Sequence, residues 1–127
     1  MSNHPVVHID IPGNDPKAAG QFYADAFGWQ VETDPTFDYT MFRAEGGPGG
    51  GFVKVGGGMG LGYKAGEVLI YIGTDDIDAS LASVEKHGGK TVMGKTEIPN
   101  VGWWAVFADP TGNKVALYTD MHPHPHQ

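Results

Sequence analysis

The sequence predicts an α+β fold built from two copies of one βαβββ unit. Two observations carry this. An order of strand, capped helix and three further strands occurs twice along the chain. The second occurrence also ends in a tight turn, Asp109-Pro110-Thr111-Gly112-Asn113, set between two alternating runs. That turn is dictated by its residues. Proline presets φ, glycine accepts positive φ, and the Asp and Asn side chains bond back to nearby backbone. Trp103 to Ala108 and Lys114 to Thr119 are therefore the two arms of a β-hairpin.

The first unit opens with the strand-like run Val6 to Ile11. Asp15-Pro16 then supplies an N-cap with proline at the first helical position. Ala19, Phe22, Tyr23 and Ala26 recur at helical spacing, and Gly28 stops the helix. Trp29 to Thr33, Tyr39 to Arg43 and Gly51 to Val55 read as three more strands. The second unit repeats the order. Val68 to Ile72 is a strand, and Asp75-Asp76 caps a helix striped by Ile77, Leu81 and Val84. Gly88-Gly89 ends that helix, and Lys90 to Met93 precedes the hairpin. A repeated unit of this size cannot cover its own apolar face and must pack against another. The expected organisation is one domain, 1–127: module one about 6–55, a glycine-rich linker about 56–66, module two about 67–119, and a tail 120–127.

Composition restricts the function classes. Hydrophobic residues are 40% of the chain and charged residues 18%, a globular balance. The net charge of −7 leaves no basic footprint for nucleic acid or a membrane surface. The absence of cysteine removes disulfides and thiol catalysis. No apolar leader or membrane-length run is present, so a cytoplasmic location is expected. His122, His124 and His126 alternate with prolines, which favours an extended tail over a metal site. The glycine runs Gly46–Gly51 and Gly56–Gly60 have no helix start after them and no lysine at the place a phosphate loop requires, and read as a linker or a lid.

An ordered set of residues resembles the vicinal oxygen chelate superfamily, which includes glyoxalase I, extradiol dioxygenases and bleomycin-resistance proteins. The set is His8 with Asp15, Phe22-Tyr23, Phe27-Gly28-Trp29, Asp75-Asp76-Ile77-Asp78, Gly88-Gly89 and the Asp109–Asn113 turn. The resemblance implies a mixed sheet curled into a cup around a ligand site, and a homodimer as the assembly. It also implies one metal ligand on each of four strands, where a divalent cation polarises two neighbouring substrate oxygens. His8 stands at the first of these positions, but Leu69 and Ala116 occupy two others. The stretch Phe52 to Val55, near the fourth, holds no His or Glu. No resident metal or other cofactor is therefore expected.

Strand alternation sorts the remaining side chains into faces. Simple pairing about the turn puts Trp104 near Tyr118 and Val106 near Ala116, with Phe107, Val115 and Leu117 on the other face. Leu69 and Tyr71 hold the positions equivalent to His8 and Asp10. The expected ligand wall is then Leu69, Tyr71, Trp104, Val106, Ala116 and Tyr118, with His8 and Asp10 as polar spots; Glu97 lies in a loop near the rim and reads by default as a solvated charge. Three functions are compatible with that wall. One is a binder that sequesters an apolar or aromatic small molecule. Another is a metal-independent enzyme with His8 or Asp10 as base. The last is a metal-dependent lyase or dioxygenase with displaced ligands. A purely structural dimer with a filled cup is the fourth outcome.

Overall fold

The computed structural model describes residues 4–36, 38–56, 64 and 66–121. The glycine loop from Gly57 on and the histidine tail from His122 lie outside these residues. Two compact units result. One is Val7–Ile70, and the other runs from Tyr71 on and includes Pro5 and Val6. Neither helix among the described residues is long and apolar enough to cross a membrane.

In the first unit the elements are β1 (Val6–Gly13), α1 (Pro16–Phe27), β2 (Gln30–Asp34), β3 (Tyr39–Arg43) and β4 (Gly49–Lys54). Their strands lie in the order β2-β3-β4-β1. The β1/β4 pair is parallel and the other two pairs are antiparallel. Helix α1 forms where the sequence places it. The Asp15 carboxylate accepts the Ala18 N–H at 3.1 Å, and Gly28 closes the helix at φ 76° while donating to the Ala24 carbonyl. The helix lies close because Gly20 has no side chain; a Cβ there would sit 2.8 Å from Val31. Under it the rings pack in series: Tyr23 stacks on Trp29 at 4.9 Å, Trp29 stacks on Phe42 at 4.5 Å, and Phe42 meets Phe52 at 5.2 Å with its ring tilted by 49°.

The second unit holds β5 (Leu69–Gly73, from Tyr71), α2 (Ile77–Lys86), β6 (Lys90–Ile98), β7 (Gly102–Ala108) and β8 (Lys114–Asp120). The strand order is β5-β8-β7-β6, again with one parallel pair, β5/β8. Asp76 caps α2 by accepting from Ala79 at 3.0 Å. Ile77, Leu81, Ala105 and Leu117 form its core, with Ile72, Trp103 and Phe107 packed around them. Burying a side chain such as Ile77 contributes about 1.5–3 kcal/mol. In the hairpin turn, Asp109 Oδ1 accepts from the backbone of both Thr111 and Asn113 at 2.9 Å, and Gly112 takes φ 96°. These bonds favour the charged form and hold the Asp109 carboxyl below its ordinary range.

Two elements exceed the sequence expectation. Strand β4 starts at Gly49, inside a glycine run read as a loop, because pairing with β1 supplies the partners its own residues do not suggest. Strand β6 runs through Thr96–Ile98, also read as a loop, with register shifts on either side of Met93.

Candidate functional site

The open face of the first unit, away from α1, is set by register. His8 pairs with Gly49 and Asp10 with Gly51, while Met41 pairs with Gly51 from the other side. Tyr39 is two residues before Met41 and shares its face. Its side chain crosses β4 to reach β1. A Cβ on Gly51 would lie 1.8 Å from the Tyr39 hydroxyl, so the crossing requires glycine there.

The crossing closes a triangle of polar groups. Tyr39 Oη donates to Asp10 Oδ1 at 2.8 Å. His8 Nε2 lies 3.0 Å from the same carboxylate oxygen and 2.9 Å from Tyr39 Oη. With Asp10 a carboxylate and the hydroxyl proton directed at it, only a proton on Nε2 satisfies both contacts, which fixes the imidazole tautomer. Asp10 is 2% exposed, and two donors compensate its burial. The His8 side chain stays 30% exposed and borders a cavity of about 300 Å³. Gln30, Glu32, Met41, Arg43 and Gly49 also line that cavity. Arg43 and Glu32 approach within 3.6 Å, but both are exposed, so the pair contributes little.

In the second unit, the hairpin register is the expected one. Trp104 pairs with Tyr118, and Val106 with Ala116, which also pairs with Tyr71. The Tyr71 and Trp104 rings stack 5.8 Å apart and 7° from parallel. Leu69, Tyr71, Trp104, Val106 and Ala116 are all buried, and none of them borders the 300 Å³ cavity. Tyr118 is half-buried and donates to Asp120 at 2.6 Å. Burial and that carboxylate push its hydroxyl well above the usual tyrosine range. Glu97 pairs with Trp103, so it lies on the helix side of the sheet, exposed, and not on the face of Trp104. That exposure agrees with its default reading as a solvated charge, and the register keeps it from the rim on the Trp104 face.

Sequence reasoning identified His8 and Asp10 but missed Tyr39. The available signal was Gly51, a strand-interior glycine that marks where another group lies across the backbone. Among the described residues no three His, Cys, Asp or Glu side chains come together to hold a metal ion. His8 is paired with Asp10 and Tyr39, while Leu69 and Ala116 carry no donor atom. These residues do not fit a four-ligand metal centre.

Known proteins share this architecture. A glyoxylase-like domain-containing protein of Didymella fabae is 34% identical over 122 residues, spanning 87% of this chain and 90% of that one. The anthracycline biosynthesis protein DnrV of Streptomyces peucetius is 30% identical over 123 residues, and there the match spans 45% of the relative. The chain thus covers under half the length of that longer protein. Among solved structures, a methylmalonyl-CoA epimerase bound to methylmalonyl-CoA superposes with a TM-score of 0.67 at 20% identity, covering 93% of this chain and 95% of the other. A superfamily member from Vibrio splendidus 12B01 gives 0.65 at 15% identity, covering 93% and 100%. The family model described as Glyoxalase/Bleomycin resistance protein/Dioxygenase superfamily matches residues 6–117, and the chain belongs to that superfamily.

Proposed function

We propose that this protein binds a small, largely apolar molecule on the open face of its first unit, with His8 as polar anchor and without the family's metal. The carrying observation is the His8–Asp10–Tyr39 triangle beside a cavity of about 300 Å³. That volume is at the lower end for small-molecule sites, and such sites combine apolar walls with a few fixed polar groups. Separately, the second unit carries an aromatic face of its own, Tyr71, Trp104 and Tyr118. One relative bears the name of an anthracycline biosynthesis protein, which supports planar aromatics as the first class to screen. In this reading the protein acts as a homodimer, which sedimentation of the untagged chain tests.

The binding test is a thermal-shift screen of aromatic compounds followed by calorimetry on wild type and His8→Ala. A ligand at a hundred times its Kd stabilises by about 2.7 kcal/mol, and His8→Ala weakens its binding. A screen without any stabiliser refutes the proposal. Elemental analysis of protein prepared without an affinity column is expected to find no stoichiometric divalent metal.

One observation favours a second reading, a metal-independent acid–base enzyme. A carboxylate that fixes the tautomer of a partly exposed histidine is the arrangement by which a general base is oriented. Turnover unchanged in His8→Ala excludes it.

A further inference from the structure

The cavity of about 300 Å³ is built entirely from the first unit, and its two ends differ chemically. Of the residues that line it, Arg43 alone carries a fixed positive charge. Strand register sets the distance from there to the polar triangle. His8 pairs with Gly49 from β1, and Phe42 pairs with Gly50 from β3, so His8 and Arg43 flank Gly49 on its two sides. Two strand spacings put their backbones about 10 Å apart, and glycine places no side chain between them. A flat ring system with one substituent has that span.

The substituent's charge follows from the two ends. At the His8 end the Nε2 proton is already directed at Asp10 and Tyr39, and the Asp10 carboxylate repels an anion. At the other end the Arg43 guanidinium lies 3.6 Å from Glu32, too long for a hydrogen bond, and the two side chains are 74% and 71% exposed. Its fork of N–H donors is therefore not committed to Glu32. A carboxylate accepts two parallel bonds from such a fork, whereas an amide offers one acceptor atom and one donor.

We infer that Arg43 is a specificity-determining residue that takes the carboxylate of a planar aromatic acid, and that the site selects this anion over the neutral amide of the same shape. This rests on the small-molecule reading above and adds the charged group the protein reads. Glu32 competes for the same guanidinium and repels the ligand, so the selectivity can be moved in both directions.

The test compares 2-naphthoate with 2-naphthamide, which share one ring system and differ in charge. Calorimetry on wild-type protein at low salt is expected to give naphthoate about tenfold tighter binding, the scale of a charge-assisted hydrogen bond at an exposed arginine. Added salt narrows that preference. Arg43→Gln keeps a polar side chain without the charge, and the two probes are then expected to bind within about twofold of each other. Glu32→Gln removes the competitor and is expected to tighten naphthoate about threefold with naphthamide unchanged, a gain that a merely structural role for Arg43 does not produce. Both positions are exposed, so both variants are expected to melt with wild type. Equal binding of the probes to wild type, or a naphthoate preference that survives Arg43→Gln, overturns this inference and leaves small-molecule binding intact. Binding of neither probe also overturns it: alone when the aromatic screen finds another stabiliser, and together with the binding reading when the screen finds none.

Discussion

Gly51→Ala tests whether the polar triangle depends on a missing side chain. The added Cβ falls 1.8 Å from the Tyr39 hydroxyl and 2.1 Å from its Cζ, so the ring has to leave the face of β4. Eviction breaks the 2.8 Å bond to Asp10 and the 2.9 Å contact with His8. A hydrogen bond to a charged group is worth about 1.5–3 kcal/mol, and lost ring packing adds roughly 1 kcal/mol. The expected destabilisation is therefore about 3 kcal/mol, read as a lower urea midpoint at unchanged m-value. In a Tyr39→Ala background the clash is gone, and Gly51→Ala is expected within about 1 kcal/mol of neutral, because alanine restricts the unfolded chain. The coupling between the two positions is then at least about 2 kcal/mol. Additive effects, with coupling under about 0.5 kcal/mol, refute the geometry on which the site rests.

Three further outcomes follow from local chemistry. Asp15→Ala and Asp76→Ala each remove an N-cap acceptor and are expected to cost about 1 kcal/mol, adding in the double variant, by thermal melting. Hydrogen bonds lower the carboxyls of Asp109 and Glu85 in the folded state, so their stabilisation is present above the ordinary carboxylate range and lost as pH falls through the lowered values. Asp109→Asn and Glu85→Gln therefore each flatten the loss of stability below about pH 4 in acid denaturation curves. The Tyr118 hydroxyl is raised, so the stability it contributes is complete below the ordinary tyrosine value near pH 10 and declines above it. Tyr118→Phe removes that alkaline decline, and ultraviolet titration finds Tyr118 ionising after ordinary tyrosines.

The parts of the fold readable from sequence are those fixed by neighbours in the chain. Asp15 and Asp76 cap helices, and Gly28 ends one, through contacts within four residues. The Asp109–Asn113 turn fixes the hairpin register, and with it the Trp104/Tyr118 and Val106/Ala116 pairs. The polar site was only half readable. His8 and Asp10 alternate on one strand, but Tyr39 arrives from β3 across a second strand, and only tertiary pairing sets that approach. The glycines of β4 misled for the same reason. Their lack of side chains removes the strand pattern, yet a bare backbone at Gly51 is what Tyr39 lies over. Trp104 was readable as a wall residue from the hairpin, whereas its near-complete burial depends on everything packed around it.

The stacked rings have a practical consequence. Of the three tryptophans, Trp29 lies between Tyr23 and Phe42 in the first unit, while Trp103 and Trp104 belong to the second. Each half thus carries its own optical reporter. A chain keeping only Trp29 follows the melting of residues 7–70, and one lacking it follows the other half. Superimposable curves would mean that two similar units unfold as a single cooperative body, and separated curves that each has its own midpoint.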